Sequence, residues 1–546
     1  MKTALLAALA LAAPALAQPV LIEARNGGSD LSADGNTILG GYYNAETNLP
    51  EILKLTLGGD IFRIPIVPRD GGLSMSDDLS IVAYAGGNLE NVNNALNSIA
   101  YSQPSQWETV SLGRTWSLAT GDVNRGIHPN GNRCDFTINT AADLSGDGRY
   151  IVGGMWTGGL CGPFRAYIND TQTGQFTQLP FSFEGPPANT FADANRANAV
   201  NANGTVVVGY DNNNRPTGGR VRRPSVWKKN ANNTWTQTIL DRFGGEAYCV
   251  SADGTYVGGT DSTGVMVRWH FNGTTWDREA PAGGTGRVPT HMSADGNYMV
   301  GDIFIWSPDI NDGVVIGLLD YAANLGSVFP DFQIFNPLGA SVHGVSNDGT
   351  KVLVSGVDLR SPCLETFTGA VLDFAGRPCI PASLIGAPSS DTSVAPAPGY
   401  YAYGIIVNIF ATGTWPLNYQ WQKLDPATGT WNNMVDDEFC NTNYGGQNFD
   451  TKAVTTQQLR LGFLSNTWRG QYRCVVSNAC GSFISPVSRI TDCPADYDTS
   501  GGVDGDDVIA YFADWDQSRD EADFDNNGGV DGDDIIAFFA RWDQSC

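Results

Sequence analysis

One short phrase recurs seven times in the first two-thirds of the chain, and six of its copies contain an Asp-Gly or Asn-Gly dipeptide. Aligned on the acidic or amide position, the anchors are Asp34, Asp78, Asp147, Asn203, Asp253, Asp295 and Asp348. Such dipeptides tolerate the positive φ that tight hairpin turns require. The residues that follow are mostly β-branched or aromatic and read as a buried strand, as in Val206-Val207-Val208. One small β-unit in series therefore dominates this part of the chain.

Further predicted strands lie between the copies, and several carry a tryptophan, as in PSVWKK from Pro224, MVRWHF from Met266 and IFIWSP from Ile303. A turn-strand core with two more strands per repeat predicts the blade of a β-propeller. The S-x-D-G-x-x-hydrophobic phrase resembles the repeats of secreted HAF-type and TolB-like propellers over residues 18–374. We expect about seven blades, with six or eight as alternatives.

Ring closure is predicted to pair the strand Val20-Leu21-Ile22 with the strand around Ala370 to Phe374. The second copy departs from the pattern, because Leu79 stands where glycine is expected. The anchors have two interpretations, a catalytic ring or a set of turn caps. We favour turn caps, since Asp-Gly is turn chemistry.

Residues 378–399 are rich in Pro, Ser and Ala and mark a domain join. Beyond it, Tyr419-Gln420-Trp421 and Gly470-x-Tyr472-x-Cys474 resemble strands C and F of a bacterial immunoglobulin-like domain over residues 380–492. The resemblance implies a buried Trp421 and a tyrosine-corner role for Tyr472. Domains of this kind mostly act as spacers, which we favour over a dedicated binding face.

The immunoglobulin-like match lacks one usual feature. Val407 or Ile409 occupies the strand-B position that would hold a disulfide partner for Cys474. Cys474 is therefore expected to pair with Cys440 or Cys480.

The last 52 residues contain two near-identical acidic segments, ADYDTSGGVDGDDVIAYFADWDQS and ADFDNNGGVDGDDIIAFFARWDQS. Calcium takes six to eight oxygen ligands, and a twelve-residue loop supplies them from positions 1, 3, 5, 7, 9 and 12. Two Ca²⁺ ions are therefore predicted. The ligands of the first loop are Asp496, Asp498, Ser500, the Gly502 carbonyl, Asp504 and Asp507. Those of the second loop are Asp523, Asp525, Asn527, the Gly529 carbonyl, Asp531 and Asp534.

One amphipathic helix follows each loop, with Val508, Ile509, Phe512 and Trp515 matched by Ile535, Ile536, Phe539 and Trp542. A duplicated calcium loop with a single helix resembles a type I dockerin, which implies docking to a cohesin-like or other surface protein. Gly505-Asp506 and Gly532-Asp533 depart from the usual contact pairs, and the GVDGDD…W form resembles the tails of exported planctomycete-type proteins. Cys493 and Cys546 flank the tail and could clamp its ends by a disulfide.

The start of the chain has the order of a secretory signal peptide. Lys2 precedes an apolar run, and Ala15-Leu16-Ala17 has the form of a cleavage site, so cleavage is expected after Ala17. No later run is long enough to span a bilayer. Ten cysteines fit an oxidising compartment, and none has zinc-site spacing. The net charge of −25 argues against nucleic-acid partners.

The sequence therefore predicts a mainly β, multidomain protein. Its parts are a signal peptide (1–17), a β-propeller (18–378), an immunoglobulin-like β-sandwich (379–492) and a small α-helical calcium-loop domain (493–546). The leading interpretation is a secreted or cell-surface calcium-binding protein for recognition or attachment, whose propeller binds a polysaccharide or protein ligand. The alternative is a glycoside hydrolase or polysaccharide lyase with the propeller as catalytic domain. No catalytic motif is found, and no catalytic residue is predicted.

Overall fold

A computed structural model describes most of the chain. The described residues are 20–24, 28–44, 49–57, 61–64, 66–68, 74–84, 86–88, 114–117, 123–125, 140–156, 164–182, 194–214, 220–335, 341–360, 367–376, 379–386, 391–393, 405–426, 428–436, 451–452, 454–461, 470–491, 495–498, 502–519, 522, 524 and 530–543. The predicted signal peptide, residues 1–17, lies outside them.

The described part of the first two-thirds of the chain is almost entirely β-structure, which confirms the predicted class. Its strands are β1 (Val20–Ala24), β2 (Gly28–Leu31), β3 (Thr37–Asn44), β4 (Leu49–Thr56), β5 (Ile61–Ile64), β6 (Ile66–Pro68), β7 (Ser74–Met75), β8 (Ile81–Tyr84), β9 (Gly86–Asn88), β10 (Arg114–Ser117), β11 (Val123–Arg125), β12 (Thr140–Leu144), β13 (Tyr150–Trp156), β14 (Phe164–Asp170), β15 (Gln175–Gln178), β16 (Asn195–Val200), β17 (Val206–Asn214), β18 (Arg220–Lys229), β19 (Trp235–Ile239), β20 (Gly245–Val250), β21 (Tyr256–Asp261), β22 (Met266–Phe271), β23 (Trp276–Glu279), β24 (His291–Met292), β25 (Met299–Gly301), β26 (Phe304–Trp306), β27 (Ile316–Gly317), β28 (Phe332–Ile334), β29 (Val342–Val345), β30 (Lys351–Asp358) and β31 (Phe367–Asp373). A 3₁₀ turn (Asn311–Gly313) and helix α1 (Leu318–Asn324) interrupt them.

These strands form successive four-stranded antiparallel sheets. The strand orders are β2-β3-β4-β5, β7-β8-β10-β11, β12-β13-β14-β15, β16-β17-β18-β19, β20-β21-β22-β23 and β24-β25-β26-β27, followed by β29-β30-β31-β1. A short extra sheet pairs β6 with β9, and β28 also pairs with β30. The first strand of each four-stranded sheet, the inner strand, contacts the inner strand of the next sheet, and β29 contacts β2. The sheets therefore form a ring, which is the arrangement of a β-propeller.

The N-terminal strand closes this ring as the sequence predicts. β1 pairs antiparallel with β31, with Val20 opposite Asp373, Leu21 opposite Leu372 and Ile22 opposite Val371. The outer strand of the last sheet thus comes from the other end of the propeller segment. Leu21 and Ile22 are fully buried.

The repeated phrase forms the turn between the inner strand and the second strand of each sheet. In six turns a serine two residues before the anchor donates its hydroxyl to the anchor carboxylate at 2.5 to 2.8 Å. The same serine oxygen accepts a backbone N–H from the following strand at 2.8 to 3.0 Å. Asn201 and Asn203 make the equivalent bond in the remaining turn, the fourth along the chain, at 3.0 Å. The turn-cap interpretation of the anchors is confirmed.

The turns also bond to one another around the ring. A backbone N–H of one turn donates to a carbonyl of the next at 2.7 to 3.1 Å, in links that run from Asp77 to Gly146, Asp147 to Ala202, Ala202 to Ala252, Ala252 to Ala294, Ala294 to Asn347 and Asn347 to Ala33. The turns therefore lie together at one end of the ring, and the opposite end is built from other loops.

The tryptophans noted in the sequence lie on third strands and fill the space between sheets. Trp227, Trp269 and Trp306 are at most 1% exposed. The Trp227 indole N–H donates to the Pro180 carbonyl at 2.6 Å and that of Trp306 to the Gly313 carbonyl at 2.9 Å. Trp227 and Trp306 thus bury their apolar surface with the indole N–H bonded.

The remaining β-structure forms a second unit. Its strands are β32 (Ser383–Gly386), β33 (Asp391–Ser393), β34 (Ile405–Asn408), β35 (Phe410–Thr414), β36 (Asn418–Asp425), β37 (Thr430–Asn433), β38 (Thr451–Lys452), β39 (Gln458–Leu461), β40 (Gly470–Asn478), β41 (Gly481–Ile484) and β42 (Ser488–Thr491). One sheet has the order β33-β42-β40-β36-β37 with β41 on β40, and another has the order β34-β39-β38. Strand β35 pairs with both β32 and β1, so it continues the last sheet of the propeller.

The predicted pairing of Cys474 is wrong. Cys480 forms a disulfide with Cys379, and Cys474 is a free, fully buried thiol opposite Trp421 in the register of β36 and β40. Cys440, the other predicted partner, lies outside the described residues. Trp421 and Tyr472 are fully buried, in line with their expected core positions.

The C-terminal segment contains helices α2 (Gly505–Trp515) and α3 (Gly532–Trp542). Cys493 and Cys546, predicted to clamp this segment, lie outside the described residues. No helix in the described part of the chain combines the length and the apolar character needed to cross a membrane.

Leu79 provides a test of the turn. Its φ of 62° places a branched side chain in the left-handed region that glycine occupies in the other turns. We expect Leu79→Gly to raise the free energy of unfolding by about 1 kcal/mol, because the strain at Cβ is removed. Urea unfolding would measure the change.

The matched control is Leu79→Ala, which keeps Cβ and removes the rest of the side chain. It should not stabilise the protein. Equal stabilisation by the two variants would show that the side chain, rather than the backbone conformation, is responsible.

Candidate functional site

Three carboxylates of the first predicted calcium loop converge. One oxygen from each of Asp496, Asp498 and Asp507 lies within 4.8 Å of the others. Asp496 is 2% exposed and Asp507 is fully buried. Like charges this close repel one another unless a cation or a proton intervenes. An all-oxygen donor set of this kind fits a hard cation such as Ca²⁺.

The start of helix α2 fixes the position of Asp507 and of one further predicted ligand, Asp504. Asp504 caps α2, where its carboxylate accepts the Asp506 N–H at 2.9 Å, and Asp507 accepts the Asp504 N–H at 2.8 Å. Asp507 also accepts the Asp498 N–H at 2.9 Å, which connects the helix to the start of the loop. Burial raises the pKa of Asp507.

The second loop repeats the same helix start. Asp531 caps α3 and Asp534, fully buried, accepts the Asp531 N–H at 2.7 Å. The Gly502 backbone is described in the first loop, with nothing within 4 Å of where a Cβ would stand. The other predicted ligands, Ser500, Asp523, Asp525, Asn527 and Gly529, lie outside the described residues.

The helices pack through residues that differ in part from those predicted. Tyr511 and Phe538, both fully buried, stack with ring centroids 4.3 Å apart. Ile509 and Ile536 were expected on the packed side but are 69% and 68% exposed. The prediction was wrong at these two positions, because the helices pack through Tyr511 and Phe538, which the prediction did not include.

Arg489 of β42 joins the tail to the second β-unit. Its guanidinium lies 3.4 Å from the Tyr497 ring centroid and donates to Asp514 at 2.6 Å. The Tyr497 hydroxyl donates to the same carboxylate at 3.1 Å. Since Tyr497 stands between Asp496 and Asp498, this contact positions the start of the first loop. Arg489 is 6% exposed.

The inner wall of the propeller holds a second group of titratable side chains. They occupy one position of the repeat, the residue just before the hydrophobic residue of each phrase. The seven residues at this position are Asp30, Ser74, Asp143, Ala199, Cys249, His291 and Gly344, of which Asp30, Asp143, Cys249 and His291 are titratable. Asp30 accepts the Met75 N–H of the next inner strand at 2.8 Å, and Asp143 accepts the Val200 N–H at 2.9 Å. Ser74 donates to Asp143 at 3.0 Å. These carboxylates connect neighbouring inner strands.

The wall also shifts the pKa values of these groups. Burial raises the pKa of Asp143 to about 6, and burial together with the Asp143 charge raises the pKa of Asp30. Burial lowers the pKa of His291 and of His343 to about 4, and the proximity of His343 adds to the shift of His291. Both imidazoles are therefore neutral near pH 7. The buried Cys249 thiol has its pKa raised to about 12, so it is a poor nucleophile.

Residue-by-residue reading of the sequence missed Arg489 and the wall carboxylates. Asp30 and Asp143 had a detectable signal, since they occupy the position that varies most in chemistry between copies of an otherwise regular phrase. Arg489 had none, because its partners Tyr497 and Asp514 belong to another segment.

Comparison with known proteins yields little. No family model matches the chain, and no curated protein is similar to it. Among solved structures, TolB from Acinetobacter baumannii is 14% identical with a TM-score of 0.28, and the match covers 63% of this chain and 66% of TolB, just under two-thirds. The Cps50 (Swd1) β-propeller domain of Myceliophteria thermophila is 9% identical with a TM-score of 0.35, over 65% of this chain and 99% of that domain. Similarity this low has no bearing on function.

The Arg489 contact can be tested by Arg489→Met, which keeps the stem and removes the charge. The Asp514 carboxylate, 14% exposed, then loses its more buried charged partner, at a cost of about 2 kcal/mol. We expect amide hydrogen exchange in residues 495–498 and 502–519 to become about 30-fold faster.

Arg519→Met is the matched control. Arg519 donates to the same carboxylate at 2.8 Å, but its side chain is 52% exposed, so its ion pair should contribute little. Equal effects of the two variants would contradict a special role for Arg489.

Proposed function

We propose that this chain is an exported calcium-binding protein for recognition or attachment, with three working parts. A seven-bladed propeller binds a ligand, an immunoglobulin-like unit is fixed beside it, and a dockerin-like tail docks to a partner. The signal-peptide order of residues 1–17 supports export with cleavage after Ala17. The Cys379–Cys480 disulfide agrees with an oxidising compartment.

Calcium binding rests on one observation, the convergence of Asp496, Asp498 and Asp507 oxygens within 4.8 Å. Their spacing in the sequence is that of loop positions 1, 3 and 12. The matching helix start at Asp531 and Asp534 supports a second ion. Two Ca²⁺ ions would neutralise the carboxylates and hold each loop against its helix, so the tail should lose structure without calcium.

Docking is supported by the surface that the tail leaves exposed. Ile509 and Ile536 occupy equivalent places in the two halves and are 69% and 68% exposed. Asp506 and Asp533, at loop position 11, lie beside them and are also exposed. Two equivalent faces permit a cohesin-like or other surface protein to bind in either of two orientations related by a half-turn.

Catalysis by the propeller is the second candidate function. Asp30 and Asp143 favour it, since carboxyl groups with raised pKa values serve as general acids in glycosidases. Both, however, accept backbone N–H groups of the wall, which is a structural role. We therefore expect binding of a polysaccharide or protein ligand without product release. Release of reducing sugar from any polysaccharide would reverse the order of the two candidates.

The calcium proposal is tested by titrating the full chain after chelation. The wild type should bind two ions. Asp507→Asn removes a charged ligand of the first site and should weaken that site by about 100-fold, so the stoichiometry falls to one. Asp534→Asn should remove the other site.

Asp506→Asn removes the same charge at an exposed neighbouring position and should still bind two ions. A wild type that takes up no calcium would refute the proposal. So would an Asp507→Asn protein that keeps both sites.

A further inference from the structure

A buried glutamate of an inner strand is held between two arginines, one from the neighbouring inner strand and one from the third strand of that neighbouring sheet. Glu246 of β20, with its side chain 3% exposed, accepts Arg196 of β16 at 3.1 Å and Arg222 of β18 at 2.7 Å. Asn198 donates to the same carboxylate at 2.8 Å and accepts the Arg196 Nε–H at 2.8 Å. Both guanidinium groups also lie over the Tyr210 ring, 5.3 Å and 4.5 Å from its centroid.

This cluster carries a surplus positive charge. Other ion pairs in the described part of the propeller include one-to-one pairs such as Arg149–Asp170, Arg268–Glu279 and Arg278–Asp261. Glu246, in contrast, neutralises only one of its two arginines. The side chains of Arg196 and Arg222 are 36% and 54% exposed, so both guanidinium groups remain partly open to solvent.

The charges are not required by the repeat. Arg196 and Glu246 both stand four residues before the hydrophobic position of their phrases. The equivalent residues on other described inner strands are uncharged, namely Thr140, Val288 and Ser341. The surrounding segment, residues 194–250, contains eight Lys or Arg against three Asp or Glu, in a chain whose net charge is −25. The positive charge is therefore a local property of these two sheets.

An exposed aromatic ring lies in the loop that leads into β20, the strand of Glu246. Phe243 is 64% exposed, and the Arg242 guanidinium lies 5.5 Å from its ring centroid. The next residue, Gly244, lies against Val221, which precedes Arg222, since a Cβ on Gly244 would meet the Val221 side chain at 3.1 Å. The cluster is at the start of the inner strands β16 and β20, and the hydrogen-bonded turns follow the ends of these strands. It thus belongs to the end of the ring that the turns leave open.

We propose that Arg196 and Arg222 bind the anionic group of an acidic polysaccharide, with Phe243 supplying an apolar surface for a sugar ring. Guanidinium groups bind carboxylate and sulfate groups through paired hydrogen bonds. A polyphosphate has no apolar face to pack against Phe243, so a charged sugar fits the two arginines and the aromatic ring better. This inference rests on the proposed ligand-binding function of the propeller and names its substrate class.

The test uses the full chain at constant calcium and two matched pairs of polysaccharides. Polygalacturonate is compared with its methyl ester, and a sulfated galactan with its unsulfated form. The wild type should bind at least one anionic member more tightly than its neutral counterpart, and which one binds tells carboxylate from sulfate. Arg222→Gln should weaken that binding by about tenfold or more.

Arg278→Gln is the control variant. Arg278 is 48% exposed and pairs one to one with the buried Asp261 of β21, so its removal changes the net charge equally. It should bind as the wild type does. Phe243→Ser, at an exposed position, should weaken binding without a change of charge, and thermal melting checks that each variant is folded.

The outcomes separate this inference from the function on which it rests. Equal binding of charged and neutral polysaccharides, or equal effects of Arg222→Gln and Arg278→Gln, would overturn the anion site and leave polysaccharide recognition standing. Binding of no polysaccharide at all would overturn both the anion site and polysaccharide recognition.

Discussion

The serine hydroxyl of the repeated turn is the interaction on which the ring depends. In the fifth turn, the Ser251 oxygen donates to Asp253 at 2.7 Å and accepts the Tyr256 N–H at 2.9 Å, so one atom fixes both sides of the turn. Although burial opposes it, hydrogen bonding from Ser251 and Thr255 lowers the pKa of Asp253. The Asp253 carboxylate is therefore ionised near pH 7, and the turn is stable with this charge. Its rigid backbone can then bond to the next turn, as Ala252 does to Ala294 at 2.9 Å.

The two ends of the ring and the wall between them therefore carry side chains of different kinds. At one end lie the turns, whose serine and aspartate side chains bond to one another. The wall position varies between copies, and where it is an aspartate it connects inner strands, as Asp143 does to Val200. Toward the other end, Arg196 and Glu246 replace the uncharged Thr140, Val288 and Ser341 and form contacts that the other copies cannot make. Variation within a regular repeat thus indicates where one copy has a property that the repeat itself does not require.

Features encoded locally could be predicted from the sequence, whereas features set by packing could not. The turns and the convergence of Asp496, Asp498 and Asp507 follow from short-range spacing, and the closing strand follows from the number of strands that the repeat leaves over at its two ends. The disulfide of Cys480 with Cys379, and with it the free Cys474, depends on how the domain join folds back. Likewise, the exposure of Ile509 and Ile536 depends on how α2 and α3 pack against each other. Apolar residues lie on more than one side of each helix, so the sequence does not decide which side is buried. Arg489 acts across a domain boundary that no periodicity marks.

The outer strand of the last propeller sheet pairs with a strand of the second β-unit, so this unit does not move freely relative to the propeller. β1 would otherwise be an unpaired outer strand, open to pairing with another chain. β35 covers it, with Ile22 opposite Thr414 and Ala24 opposite Thr412, and Trp415 packs edge-on against Phe332 at 5.3 Å. Because β1 also closes the ring, the strand that completes the propeller is held by the unit that follows it. Arg489 then continues the attachment into the tail. The second unit is therefore attached rigidly to the propeller. Under the proposed function, it would act as a rigid arm that holds the ligand-binding and docking faces in a fixed relation.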